Sequence, residues 1–177
     1  MRQIILIIDR LSDLLGKLSA LVLGLMTGLI LLEIFLWNIF KKTTLIADEY
    51  SAYGLAVLIF LGCGYTLKEK GHIRIDLVLN LLPGRLALVF KFIAGLVSTT
   101  LLGYVSWQLG RMTYSAWHYG ATSGTLTATP LWVPQLLIVI GAVMFTLQMA
   151  VETVKLLPFA AGAAAAAKRE PYRRSRQ

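Results

Sequence analysis

The chain has 177 residues, 57% of them hydrophobic, and a mean hydropathy of +0.71; a soluble domain usually carries about 45–50% apolar residues. The surplus is gathered in long blocks, which excludes a disordered chain and indicates a membrane protein. Cys63 is the only cysteine, so no intramolecular disulfide can form, and the net charge of +8 falls in segments too short to build a nucleic-acid groove.

The first seventeen residues place Leu11, Leu14, Leu15 and Leu18 at helical spacing, with Asp9, Arg10, Ser12, Asp13 and Lys17 between them. Such a segment fits an amphipathic helix lying in the membrane interface, and fits equally a cytoplasmic extension of the first span; both readings stay open. The apolar run at 4–8 is shorter than the roughly 7–15 residues of a signal-peptide core, and Asp9-Arg10 interrupts it, so no cleaved signal is expected. Four apolar blocks follow, at about 18–40, 49–67, 85–110 and 131–154. At about 1.5 Å rise per residue each can cross a hydrocarbon core of roughly 30 Å. The expected fold is therefore an all-α integral membrane protein with a four-helix domain over 18–157. Its Ala-rich, basic tail at 158–177 is expected to be disordered.

Orientation follows from the basic residues. Three lie in the N-terminal segment, five between the second and third blocks and six at the C-terminal end, leaving Lys41, Lys42 and Arg111 on the other side. The positive-inside rule puts both termini in the cytoplasm, which requires an even number of spans. The basic tail is expected to meet anionic phospholipid. The extracytoplasmic stretch 113–129 mixes Tyr114, Trp117 and Tyr119 with Gly, Ser and Thr, as an ordered loop or an interfacial aromatic belt does.

Small residues recur every fourth position: Ala20, Gly24 and Gly28 in the first span, and Gly95, Thr99 and Gly103 in the third. Such stripes let helix backbones approach closely, within the chain or against a partner. Glu33 is the one carboxylate well inside an apolar run. It can bond a neighbouring helix, bind an ion or snorkel toward water; with no second acidic residue at its depth, bonding is the simplest use. His72 and His118 fall on opposite sides of the membrane and cannot share a metal or flank a haem. No metal, cofactor or catalytic constellation is expected in this chain, and hence no enzyme.

Three segments remain. Asp48-Glu49 opens the second span, where negative charge suits a helix N-terminus. In Gly71-His72-Ile73-Arg74-Ile75-Asp76-Leu77, His72, Arg74 and Asp76 alternate with aliphatic residues, as in an ordered turn hugging the membrane. Thr129-Pro130-Leu131-Trp132-Val133-Pro134 opens the fourth span, with proline tolerated in a first turn and Trp132 at interface depth.

These three segments, with Ser123-Gly124, Gly141 and Gln148, resemble the small membrane (Q-type) subunit of tripartite ATP-independent periplasmic (TRAP) transporters over roughly residues 18–155. Ile46-Ala47 precedes the acidic pair where a tryptophan is common in that family. The resemblance implies a bacterial or archaeal inner-membrane protein working with a large multi-span permease subunit and a periplasmic substrate-binding protein. The permease would carry the sodium and organic-acid sites and move as an elevator, with this chain as its scaffold. Glu33, Asp48, Glu49, His72, Arg74, Asp76 and Trp132 would then order helix ends and the interface between subunits, while Trp117 and Tyr119 would lie where the binding protein docks. A four-helix anchor of a redox complex is the alternative, and it lacks the membrane-embedded histidine that such an anchor uses for haem.

Overall fold

In a computed structural model, which describes residues 2–69, 84–125 and 127–174, the chain forms four long helices. They are α1 (Arg2–Phe40), α2 (Ala47–Lys68), α3 (Gly84–His118) and α4 (Trp132–Arg174). Each contains a stretch long and apolar enough to cross a membrane. The 22 residues of α2 make about 33 Å, close to one hydrocarbon thickness, whereas the 39 residues of α1 make nearly twice that.

Two observations concern the ends of the chain. Of the two readings open for the N-terminal segment, the structure fits the extension of the first span, because α1 runs without a break from Arg2 to Phe40. Part of the polar side of that segment also turns inward: Asp9 and Asp13 bond other helices, while Arg10 and Lys17 are exposed. Ser12 and Ser19 are buried, whereas Leu6, Ile7, Leu14 and Leu18 are uncovered by the chain. A helix in lipid gains nothing by hiding its leucines, so its polar stripe becomes the packing face. At the other end, disorder was expected from 158, yet α4 runs to Arg174. Alanine has the highest helix propensity, and five consecutive alanines at 163–167 carry the helix past Pro158.

Successive helices of the chain run in opposite directions and stand in the order α1, α2, α4, α3, so that the central neighbours α2 and α4 are parallel. Among the described residues α2 meets α1 and α4, α3 meets α4 alone, and α1 touches α4 at one end. This is an open row rather than a closed four-helix bundle. Close approaches are made where a side chain is missing. A Cβ on Gly141 of α4 would lie 2.6 Å from the backbone carbon of Phe60, so α2 and α4 run nearly backbone to backbone. Gly16 of α1 receives the ring of Tyr65, and Gly95 of α3 receives Thr153 of α4. Val57 and Leu61 of α2 with Ala142 and Val151 of α4 form the apolar centre.

Of the two small-residue stripes, that of α3 is used inside the chain. Gly95 and Thr99 face Thr153, with Thr99 Oγ1 and Thr153 Oγ1 3.5 Å apart, and Gly103 faces Thr146. The α1 stripe is not: Ala20 is exposed, and a Cβ on Gly24 or Gly28 would meet nothing within 4 Å.

Candidate functional site

Polar side chains gather at three places, one on the face that carries the chain termini and two on the opposite face. On the terminal face, Gln148 of α4 is wholly buried and joins two helices. Its Oε1 accepts from Ser12 Oγ at 3.0 Å, and its Nε2 donates to Asp9 Oδ1 at 3.0 Å. One turn along, Lys68 Nζ at the end of α2 donates to Asp13 Oδ1 in an ion pair. Asp9, Ser12, Asp13, Gly16 and Ser19 thus form one inward stripe of α1. Ser19 Oγ completes it by donating to the carbonyl of Leu58 at 2.8 Å. A buried amide with both ends satisfied adds specificity to helix pairing that lipid-facing leucines cannot supply.

On the opposite face, Glu33 does not reach a neighbouring helix. Its carboxylate accepts from the hydroxyls of Thr43 and Thr44 and from the Thr44 amide, at 3.1 and 3.2 Å for the amide, all in the loop that follows its own helix. That loop makes a tight reversal, with Lys41 and Leu45 at φ +52° and +58°. Such values are costly for residues with a Cβ, by about 1–3 kcal/mol each when surroundings must enforce them. The charged acceptor supplies that enforcement.

Glu49, in the first turn of α2, is the centre of the third cluster. One carboxylate oxygen accepts from Tyr53 OH at 2.9 Å, and the other accepts from the hydroxyls of Thr125 and Thr127. Those threonines belong to the loop between α3 and α4. The loop leaves α3 at Gly120, whose φ of +60° suits a residue without a side chain. It is then closed by an isolated antiparallel bridge between Thr122 and Pro130. Within it the Ser123 amide donates to the Thr129 carbonyl at 2.9 Å, and the Thr129 amide donates to Ser123 Oγ at 3.0 Å. Glu49 therefore ties the start of α2 to a loop 76 residues further along the chain. Asp48 beside it is exposed.

Trp132 begins α4 with partial exposure, and the following Pro134 is buried in the first turn. Trp117 and Tyr119 are 63% and 79% exposed. They belong to an aromatic group in which Tyr114 stacks on His118 at 5.9 Å and meets Trp117 edge-on at 6.2 Å. Of the other residues singled out in the sequence, His72, Arg74 and Asp76 lie outside the described residues. Among the described residues no group of three or more His, Cys, Asp or Glu is placed to hold a metal ion.

The sequence reading named Glu33, Glu49 and Gln148 but not their partners. Asp9, Ser12, Asp13 and Lys68 were missed as an interhelical set, although their spacing along α1 is visible as a polar stripe. Thr125 and Thr127 were missed as well, although the alternation in Thr125-Leu126-Thr127-Ala128-Thr129 offers hydroxyls on one side.

The geometry is that of a membrane frame whose polar groups hold its own helices and loops. Comparison with known families identifies it. No curated protein is similar enough to match. The family model described as tripartite ATP-independent periplasmic transporters, DctQ component, matches residues 26–159, well over half of the chain. The match takes in the C-terminal part of α1, all of α2 and α3, the Glu49 loop and the membrane part of α4. The chain belongs to the DctQ family, the small component of TRAP transporters, which is a transporter component and not an enzyme.

Proposed function

We propose that this chain is the static scaffold of a sodium-coupled importer of organic acids, built around a large permease subunit and supplied by a periplasmic binding protein. Membership of the DctQ family carries the partnership with a large permease and a binding protein. The observation that supports the scaffold role is the division of labour among side chains. Glu33, Glu49, Gln148 and Lys68 are engaged in bonds that fix this chain's own loops and helices. The outer face of α1, with Ala20, Gly24 and Gly28, is left uncovered.

On this reading the sodium and substrate sites reside in the permease, and the uncovered face of α1 lies against it. A bare glycine stripe permits close helix contact where lipid provides no hydrophobic drive. His72, Arg74 and Asp76 order the cytoplasmic turn at the same interface, with Asp48 and Trp132 marking the helix starts on the periplasmic side. Trp117 and Tyr119 form part of the surface met by the binding protein. Both termini are cytoplasmic, in an inner membrane of a bacterium or archaeon.

The test is co-purification with the large subunit and uptake by proteoliposomes. Gly24→Leu with Gly28→Leu is expected to reduce recovery of the large subunit at least about tenfold, since bulk on a close-packed stripe separates the helices. Uptake is expected only when both membrane subunits and the binding protein are present. Transport by this chain alone, or full assembly of the double leucine variant, would overturn the scaffold reading.

A further inference from the structure

One cation of α3 stands apart from the three polar clusters. Arg111 is exposed, and among the described residues nothing bonds or pairs with its guanidinium. Its depth follows from the packing. Ser106 Oγ of α3 and Thr146 Oγ1 of α4 are 3.0 Å apart, which sets the register of these antiparallel helices. Arg111 lies five residues nearer the loop end than Ser106, and Gly141 five residues nearer that end than Thr146, so the two are about level. Gly141 in turn touches the backbone of Phe60, near the middle of the 22-residue α2. Since α2 is about one hydrocarbon thickness long, Arg111 stands inside the apolar layer. The same count puts it about 10 Å below the end of α3 at His118.

Around Arg111 a groove of about 850 Å³ runs along the outer side of α3, closed on one flank by Val143 of α4. Gly103, Trp107, Gly110, Arg111 and Tyr114 share one helix face and line it. The two glycines leave its floor low, and a Cβ on Gly110 would meet nothing within 4 Å. We infer that this groove receives a transmembrane helix of the large permease subunit, whose carboxylate pairs with Arg111 inside the membrane. The inference rests on the partnership with a permease and adds a second contact to that proposed for the outer face of α1. Two observations select this occupant. An arginine at membrane depth is costly without an anion, and this chain supplies none, so the acceptor comes from outside. The depth then selects a carboxylate over a lipid phosphate. Even if the side chain snorkels by about one turn, it ends near Tyr114, still a turn below the end of α3, whereas phosphates lie beyond the hydrocarbon. A glycine floor also admits a helix backbone, and the flanking Trp107 and Tyr114 exclude water from the pair. The planar guanidinium can meet a carboxylate with two parallel bonds, which fixes the register between the two subunits.

The test uses the full chain co-expressed with the large subunit. The photoreactive amino acid p-benzoylphenylalanine replaces Trp107, the membranes are irradiated, and the product is mapped by peptide mass spectrometry. A cross-link is expected to a transmembrane helix of the large subunit that carries an Asp or Glu. Arg111→Gln should lower recovery of the large subunit about tenfold or more, because it strands that carboxylate. Replacing the mapped carboxylate by its amide should restore recovery in the Arg111→Gln background. Gly110→Leu, which fills the groove and keeps the charge, should also weaken recovery. Helical content by circular dichroism confirms that each variant is folded. A cross-link only to lipid or to a second copy of this chain would overturn the assignment. Full recovery with Arg111→Gln, or no rescue by the amide, would do the same. If the unmodified chain recovers the large subunit while any of these results holds, this inference alone fails; if it recovers none, the permease partnership fails with it.

Discussion

The two carboxylates on the face opposite the termini do related work by different routes. Glu33 holds the loop that follows its own helix, while Glu49 reaches forward to a loop that the chain makes 76 residues later. A carboxylate accepting three hydroxyl protons is a strong anchor, because charge-assisted bonds are roughly twice as strong as neutral ones. Removing that acceptor leaves Tyr53, Thr125 and Thr127 without their shared partner and leaves the Thr122–Pro130 bridge and the loop's own bonds, such as that from the Thr129 amide to Ser123 Oγ, to close it. Glu49→Ala is therefore expected to loosen the 121–131 segment without melting α2. Amide hydrogen exchange should quicken there by about tenfold, the equivalent of roughly 1.4 kcal/mol, and stay constant in 50–68. Unchanged exchange in the loop would show that its internal bonds suffice. Glu49 was legible in the sequence as a residue of interest, since an acidic pair opens an apolar block. Its partners were not legible, because nothing local to residue 49 tells which distant loop returns to it.

Among the helices, α4 is the hub: it contacts all three others, and a third of its most apolar stretch is buried by the chain, against 6% for α1 and α3. Hub status rests on small residues at the crossings, and the glycines of α1 and α4 consequently differ in what they tolerate. Gly141 faces the α2 backbone at Phe60, which cannot move aside as a flexible side chain can. Gly141→Ala should push α2 and α4 apart and destabilise the chain by about 1–3 kcal/mol, the usual cost of overpacking. Gly24→Ala on the open stripe of α1 should be neutral or slightly stabilising in the isolated chain, because alanine is the better helix former by about 1 kcal/mol. Reversible denaturation of each variant in mixed micelles checks the contrast. Equal effects at the two positions would mean that the α2–α4 contact is not set by backbone approach. Periodicity revealed both stripes and the existence of all four helices. It could not say which stripe is internal, because in a membrane an outward glycine face and an inward one have the same composition. For the same reason the first seventeen residues looked amphipathic with respect to water, while Asp9, Ser12 and Asp13 of their polar side are in fact on the side that packs.

At the scale of the whole molecule, four helices that reverse direction at each connection put both termini on one face, and the charge pattern decides which face that is. The terminal side carries fourteen of the 17 lysines and arginines, and the loop side carries Lys41, Lys42 and Arg111. Moving so many cations across a bilayer opposes the potential and the translocation machinery alike, so the terminal side is expected to stay in the cytoplasm. The polar clusters fit that orientation: the Glu49 loop, with its exposed aromatic neighbours, would then face the compartment from which a binding protein approaches. Single cysteines in a Cys63→Ala background test it directly. Gly124 is exposed, and a Cβ there meets nothing within 4 Å, while Gln3 is exposed at the start of α1, so both sites accept a cysteine without repacking. In intact cells or spheroplasts a membrane-impermeant maleimide should label Gly124→Cys and leave Gln3→Cys untouched until the membrane is permeabilised. The reverse pattern would place the termini outside.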